Sequence, residues 1–280
     1  MLKLCYPFLL AVIHVIHATG QAESVQTVRK NRALPLICGH RGGFYENYPE
    51  NSLAAINHTV QNCHTSQVII EFDLRKSKDG TLFIMHDESV DRTTSGQGLI
   101  SELPDSHLKT LFLRNANGKL TDEKIPTFDD LLDYSQAKKI ILMLDIKADI
   151  WNEAIDKLVK RNLTHKSIVL TFQPLDAKKV YDLSHDVRIS CLVRNENDWQ
   201  AIKELSIPAK NLIGYIGEST PQHLIIQLKN NLSMIMADVS ESAMSNVNIL
   251  TNEYYFEFIK KRKIDILITD YPVDVSKRLR

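Results

Sequence analysis

What most constrains this chain is a series of short runs that are apolar on both faces. They span Leu34–Gly39, Val68–Leu74, Thr81–His86, Ile140–Lys147, Ile168–Phe172, Arg188–Val193, Leu232–Val239 and Ile264–Thr269. Consecutive Ile, Val and Leu suit parallel strands covered by helices, not strands with one wet face. Amphipathic stretches separate most of them. Glu50–Cys63 sets Leu53, Ile56 and Val60 on one stripe, and Asn152–Lys160 and Glu253–Lys261 have a similar spacing. Eight strand–helix units predict an α/β (β/α)8 TIM barrel over residues 34–280, with a doubly wound open sheet as the alternative. At 280 residues and 44% hydrophobic content the chain can bury a sizeable core.

One interval breaks the rhythm. Asp87 to Lys139 is too long for an ordinary connection. It holds Asp91-Arg-Thr-Thr-Ser-Gly-Gln-Gly98 and Lys124-Ile-Pro-Thr-Phe128. It predicts an insertion after the third strand, about 87–139, lying over one barrel end.

Residues 1–20 have a different character. Lys3 precedes an apolar run from Leu4 to Ala18, followed by small residues at Ala18-Thr-Gly20. The run is shorter than the roughly 20 residues of a membrane span, so it predicts a signal peptide and a secreted or secretory-lumen protein. An uncleaved signal anchor is the alternative. The sequons at Asn57, Asn162 and Asn231 fit N-glycosylation in that compartment. Beyond the leader only Cys38, Cys63 and Cys191 remain, an odd number that allows at most one disulfide and equally three thiols. Lys+Arg and Asp+Glu both number 34, so no nucleic-acid-binding surface is implied.

The chemistry gathers at strand ends. Glu71 and Asp73 are two apart in VIIEFDL and point the same way in a strand, and Asp145 and Lys147 repeat that spacing in IILMLDIK. His86 ends the run TLFIMHD, and His40-Arg41-Gly42-Gly43 closes the first. In a parallel barrel the carboxyl ends of the strands share one mouth. Singly, each has an ordinary structural reading; together they converge. Three carboxylates without a Cys ligand suit a hard divalent cation, Mg²⁺ or Ca²⁺, rather than zinc. His40 and His86 suit acid/base work near neutral pH, and Arg41 and Lys147 suit a phosphodiester's developing charge. The constellation describes metal-assisted phosphodiester cleavage.

These residues resemble the glycerophosphodiester phosphodiesterase family. The family hallmark is matched by His40-Arg41-Gly42, Pro49-Glu50-Asn51-Ser52, Glu71-Phe72-Asp73 and His86-Asp87. Asp91–Thr94, Ile125–Thr127 and Thr269-Asp270-Tyr271-Pro272 follow in the family's order. The resemblance implies a barrel with a small insertion and a divalent cation held by Glu71, Asp73 and Asp145. It further implies catalysis by His40 and His86, phosphate binding by Arg41 and Lys147, and release of an alcohol with glycerol 3-phosphate. Two departures stand out. Asp145 occupies a position commonly glutamate, and Leu232–Val239 offers Met234, Met236 and Asp238 where many relatives carry a Trp-Thr-Val-Asn segment. The expected substrate is a small glycerophosphodiester. The alternatives are a lysophospholipase D or sphingomyelin-directed phospholipase D, acting on a lysophospholipid with contact to a membrane surface, and a barrel kept only for binding.

Overall fold

The computed structural model describes residues 34–65, 67–240 and 252–279; the expected leader lies outside them. The chain opens with β1 (Leu36–Gly39) and α1 (Leu53–Asn62), then folds as a β2–β3 hairpin (Val68–Lys76, Leu82–Ile84). Next come α2 (Asp105–Leu108), a second hairpin β4–β5 (Phe112–Arg114, Leu120–Lys124) and α3 (Phe128–Gln136). From there strand and helix alternate: β6 (Ile140–Ile146), α4 (Trp151–Lys160), β7 (Ser167–Thr171), α5 (Pro174–Leu183), β8 (Arg188–Val193) and α6 (Glu196–Glu204). The sequence of elements finishes with β9 (Leu212–Ile216), α7 (Gln222–Asn231), β10 (Met234–Asp238), α8 (Asn252–Arg262), β11 (Ile266–Thr269) and α9 (Pro272–Arg278).

Eight of these strands, β1, β2 and β6 to β11, pair in parallel, and β1 bonds to both β2 and β11. The sheet is therefore closed, a TIM barrel as expected, and the open-sheet alternative is excluded. Two apolar layers hold it. Alternate residues such as Cys38, Ile69, Met143, Ile213, Met236 and Ile268 fill the barrel, while their neighbours pack against the ring of helices.

One of the eight expected strands is displaced from the barrel and another, unexpected, takes its place. Thr81–His86 contributes β3, which runs antiparallel to β2 and so is no member of the parallel barrel. Only a tight turn through Gly80 at φ +93° joins the two, far short of the dozen or more residues that a parallel crossover needs. The missing barrel strand is β9, whose Leu-Ile-Gly-Tyr-Ile sequence is interrupted by Gly214. A Cβ there would come within 3.1 Å of Leu232 Cδ1, so the glycine serves close helix–strand packing.

The first helix also starts later than expected. Pro49 and Glu50 lie in a turn ahead of it, and Ser52 caps α1 by accepting from the Ala55 N–H at 3.1 Å. The long interval divides in two. Val90, Ile100, Leu108, Leu111 and Ile125 form a small core of their own with Phe83 and Met85. Phe128, Leu131 and Leu132 of α3 instead pack against the barrel.

Cys38, Cys63 and Cys191 are free thiols, the first and last buried, so the expected choice resolves to three thiols. Of the sequon asparagines, Asn162 and Asn231 are exposed, whereas Asn57 is half-buried in α1. No described helix is long and apolar enough to cross a membrane.

Candidate active site

The first strand ends in a left-handed turn. Arg41, Gly42 and Gly43 all adopt positive φ, at +49°, +83° and +107°. A Cβ on Gly42 would sit 2.9 Å from Ile56 Cγ1, so the loop lies directly on α1. This left-handed turn aims the Arg41 N–H at Glu71 Oε2, 2.7 Å away. Its carbonyl accepts from the Asn51 N–H at 2.8 Å. The Pro49–Ser52 segment thereby becomes a brace. Asn51 Nδ2 donates to Asp73 Oδ2 at 2.8 Å, and Glu50 Oε1 accepts from Arg41 at 3.1 Å.

Strand register assembles the carboxylates. In the β2–β6 pair Asp73 stands opposite Asp145, and Glu71 lies two residues back on the same face. One ligand oxygen from each of Glu71, Asp73 and Asp145 falls within 4.8 Å of the others, and all three residues are buried. An oxygen-only donor set of this kind fits a hard divalent cation. The electrostatics fit as well. Burial and the charge of Asp73 push Glu71 up to about 8, and burial raises Asp145 despite Lys147 beside it. A divalent charge among these carboxylates would relieve that repulsion. Lys147 Nζ sits 2.6 Å from Asp145 and 3.3 Å from Asp73; burial opposes its charge, but the two carboxylates win and raise its pKa.

Both histidines are fixed through Nδ1. His40 Nδ1 lies 2.7 Å from Asp270 Oδ1, and His86 Nδ1 lies 2.8 Å from Asp87 Oδ1. A carboxylate on Nδ1 holds the proton there and leaves Nε2 as the working nitrogen. Burial alone would lower the pKa of His40, but the hydrogen bond to Asp270 and the charges of Glu71 and Asp238 outweigh it and raise it to about 9. The β2–β3 hairpin sets His86 beside the carboxylates, because the Met85 N–H donates to the Asp73 carbonyl. Arg75 ties the backbone of both halves through Nε to the His86 carbonyl at 2.7 Å and a longer bond to Lys147.

A single cation then joins the two loops. Arg92, from the segment before β4, donates to both oxygens of Asp87 and both oxygens of Glu50. The result is an unbroken ionic chain, Arg41–Glu50–Arg92–Asp87–His86. The Arg92 hydrogen bond, working against partial burial, holds the Asp87 carboxyl well below the usual carboxylate range. Arg41 keeps spare capacity, since its buried Nε makes no hydrogen bond and lies 3.7 Å from Asp73 Oδ2.

All seven residues expected from sequence thus gather at one end of the barrel. Four supporting residues escaped that reading: Asn51, Asp87, Arg92 and Asp270. Each stands inside a quoted motif, yet its partner lies on another element, and only the fold shows the pairing.

Comparison with known proteins gives a consistent outcome. Glycerophosphodiester phosphodiesterase 1 of Homo sapiens is 30% identical over 188 residues, covering 64% of this chain and 55% of the human protein. The first curated relatives are matched over 49% to 66% of their own length. A glycerophosphoryl diester phosphodiesterase from Parabacteroides distasonis superposes with a TM-score of 0.78 at 24% identity, covering 88% of this chain and 86% of that one. A phosphodiesterase from Oleispira antarctica, solved in complex with the product sn-glycerol-3-phosphate, gives 0.67 at 20% identity and covers 88% and 97%. At these identities the two structures establish the barrel and no more. The sequence match reaches further, because the model of one family runs from His40 in the first turn to Asp274 in α9. The chain belongs to the glycerophosphoryl diester phosphodiesterase family.

Proposed function

We propose that this protein hydrolyses glycerophosphodiesters to an alcohol and glycerol 3-phosphate, using His40 and His86 as a proton-transfer pair with a divalent cation, Mg²⁺ or Ca²⁺. The observation that carries this reading is the pair of carboxylate-anchored histidines at the end of the barrel that holds the buried triad. A phosphodiesterase of the same fold holds sn-glycerol-3-phosphate, which supports the product assignment.

Arg41 and Lys147 bind the phosphate, Arg41 through a side chain that Glu50 already aims. The glycerol hydroxyl of the substrate attacks phosphorus while one imidazole takes its proton. The bond from phosphorus to the alcohol breaks, and the other imidazolium protonates the departing oxygen. Water then opens the cyclic phosphate with the two roles exchanged. A cation held by Glu71, Asp73 and Asp145 would supply charge neutralisation at the phosphoryl oxygens.

The test is a mass-spectrometric product assay on purified protein. It offers glycerophosphocholine, glycerophosphoinositol and a lysophospholipid, each with Mg²⁺, Ca²⁺ or chelator. Metal-dependent glycerol 3-phosphate is expected, reduced about 10²–10⁴-fold in His40→Ala and in His86→Ala. Folded protein that releases none from any substrate with either metal would sink the proposal. Cleavage of the lysophospholipid alone would replace it with a phospholipase D.

A further inference from the structure

The other half of the barrel mouth carries different chemistry. Met234 and Met236 fill the barrel interior, so alternation turns Asp238 inward at the end of β10. Tyr215 of β9 packs on the same interior cluster, and its hydroxyl donates to Asp238 Oδ2 at 3.4 Å. Here lies a cavity of about 250 Å³, lined by Leu192, Tyr215, Glu218, Asp238 and Phe258 among others. The exposed ring of Phe172, just past β7, stands 6.4 Å from that of Tyr215 and extends the aromatic wall. Among the described residues no basic side chain lines this space. The nearby cation, Arg262, donates to the carbonyls of Gly217, Glu218 and Thr220 and so clamps the loop from outside.

We propose that this cavity receives the departing alcohol and selects one bearing an alkylammonium group. This inference rests on the phosphodiesterase reading above. Arg262 already stands over the Phe258 ring, 5.9 Å from its centroid, so the two carboxylates and the rings of Tyr215 and Phe172 remain to attract an organic cation through charge and cation–π contact. A neutral polyol could donate its hydroxyls to the carboxylates but would gain neither the charge attraction nor the cation–π contact. The volume lies below the roughly 300–1,000 Å³ of pockets that bury drug-sized ligands, which suits a small head group. The cavity also adjoins the chemistry. β11 alone separates Asp238 on β10 from His40 after β1, and the Asp238 charge acts on that imidazole.

The experiment compares kcat/KM for glycerophosphocholine and glycerophosphoglycerol in wild type, Asp238→Asn and Glu218→Gln. Choline chloride is titrated into the same proteins by calorimetry. Wild type is expected to favour the choline diester about tenfold or more. That ratio should fall about tenfold in Asp238→Asn and several-fold in Glu218→Gln, with weaker choline binding in both. Glu218 is exposed, so its variant still decides the matter if Asp238→Asn fails to fold. A ratio near one in wild type, or a ratio unmoved by the variants, overturns the head-group assignment while leaving the phosphodiesterase reading intact. Choline binding that Asp238→Asn weakens, in protein that cleaves no diester, supports the cavity and overturns the activity instead.

Discussion

Replacing Asp270 by asparagine keeps the shape of the His40 partner and removes its charge. The 2.7 Å contact is partly buried, with both side chains under 15% exposed, so solvent screens it little. His40 stands at about 9 against an ordinary 6.5. A raised pKa in the fold means that protonated His40 stabilises the folded chain fully below pH 6.5. That contribution, about 3 kcal/mol, is lost as pH rises through 9. An adjacent opposite charge accounts for roughly 1–3 pKa units. The variant should therefore be about 1–4 kcal/mol less stable than wild type at pH 6, and the gap should close by pH 10. Urea unfolding of metal-free protein across that range measures it, and the NMR titration of the His40 ring locates the shift directly. Catalysis should fall about 10²–10⁴-fold in kcat, as expected when the orienting carboxylate of an acid/base imidazole is neutralised. A His40 ring still titrating near 9 in the variant, with the same stability gap at pH 6 and pH 10, would refute the assignment of Asp270.

Three further outcomes follow from the geometry. Arg92→Ala should lower kcat about tenfold, because the partners of His86 and Arg41 both lose their bridge. Arg92 is 51% exposed, so stability should change by under about 1 kcal/mol, and Arg92→Lys should not restore turnover because an ammonium cannot span two carboxylates. Gly42→Ala should cost about 1–3 kcal/mol in thermal or urea denaturation, since its φ is +83° and Ile56 fills the space a methyl group would need. Expressed through a secretory pathway, the chain should take glycans at Asn162 and Asn231 and not at Asn57, whose Oδ1 is engaged by Tyr134 in α3. Endoglycosidase shifts of single Asn→Gln variants count the occupied sites, and an occupied Asn57 would contradict the packing of α1.

Most of the barrel was readable because its strands are buried on both faces, and Ile, Val and Leu then run without polar interruption. Where that signal fails, the fold explains why. β9 needs a glycine for close packing, which erased its apolar run, while β3 is as apolar as a barrel strand but belongs to a hairpin arm. Local patterning cannot tell those cases apart. Glu71, Asp73, Asp145 and Lys147 were legible because a period of two puts each pair on one face. Arg92 with Glu50, and Asp270 with His40, were not legible, since they meet only after folding has joined segments 42 and 230 residues apart. Tyr215 escaped notice along with its strand.

Closure of β1 against β11 has a temporal consequence. His40 leaves the ribosome 230 residues before Asp270 does. A nascent chain can lay down Glu71, Asp73 and Asp145 first, in neighbouring strands, yet His40 remains unanchored until β11 docks on β1. A chain that has not yet added β11 thus lacks the anchored imidazole that the proposed chemistry needs, and gains it in a single event, the sealing of the barrel.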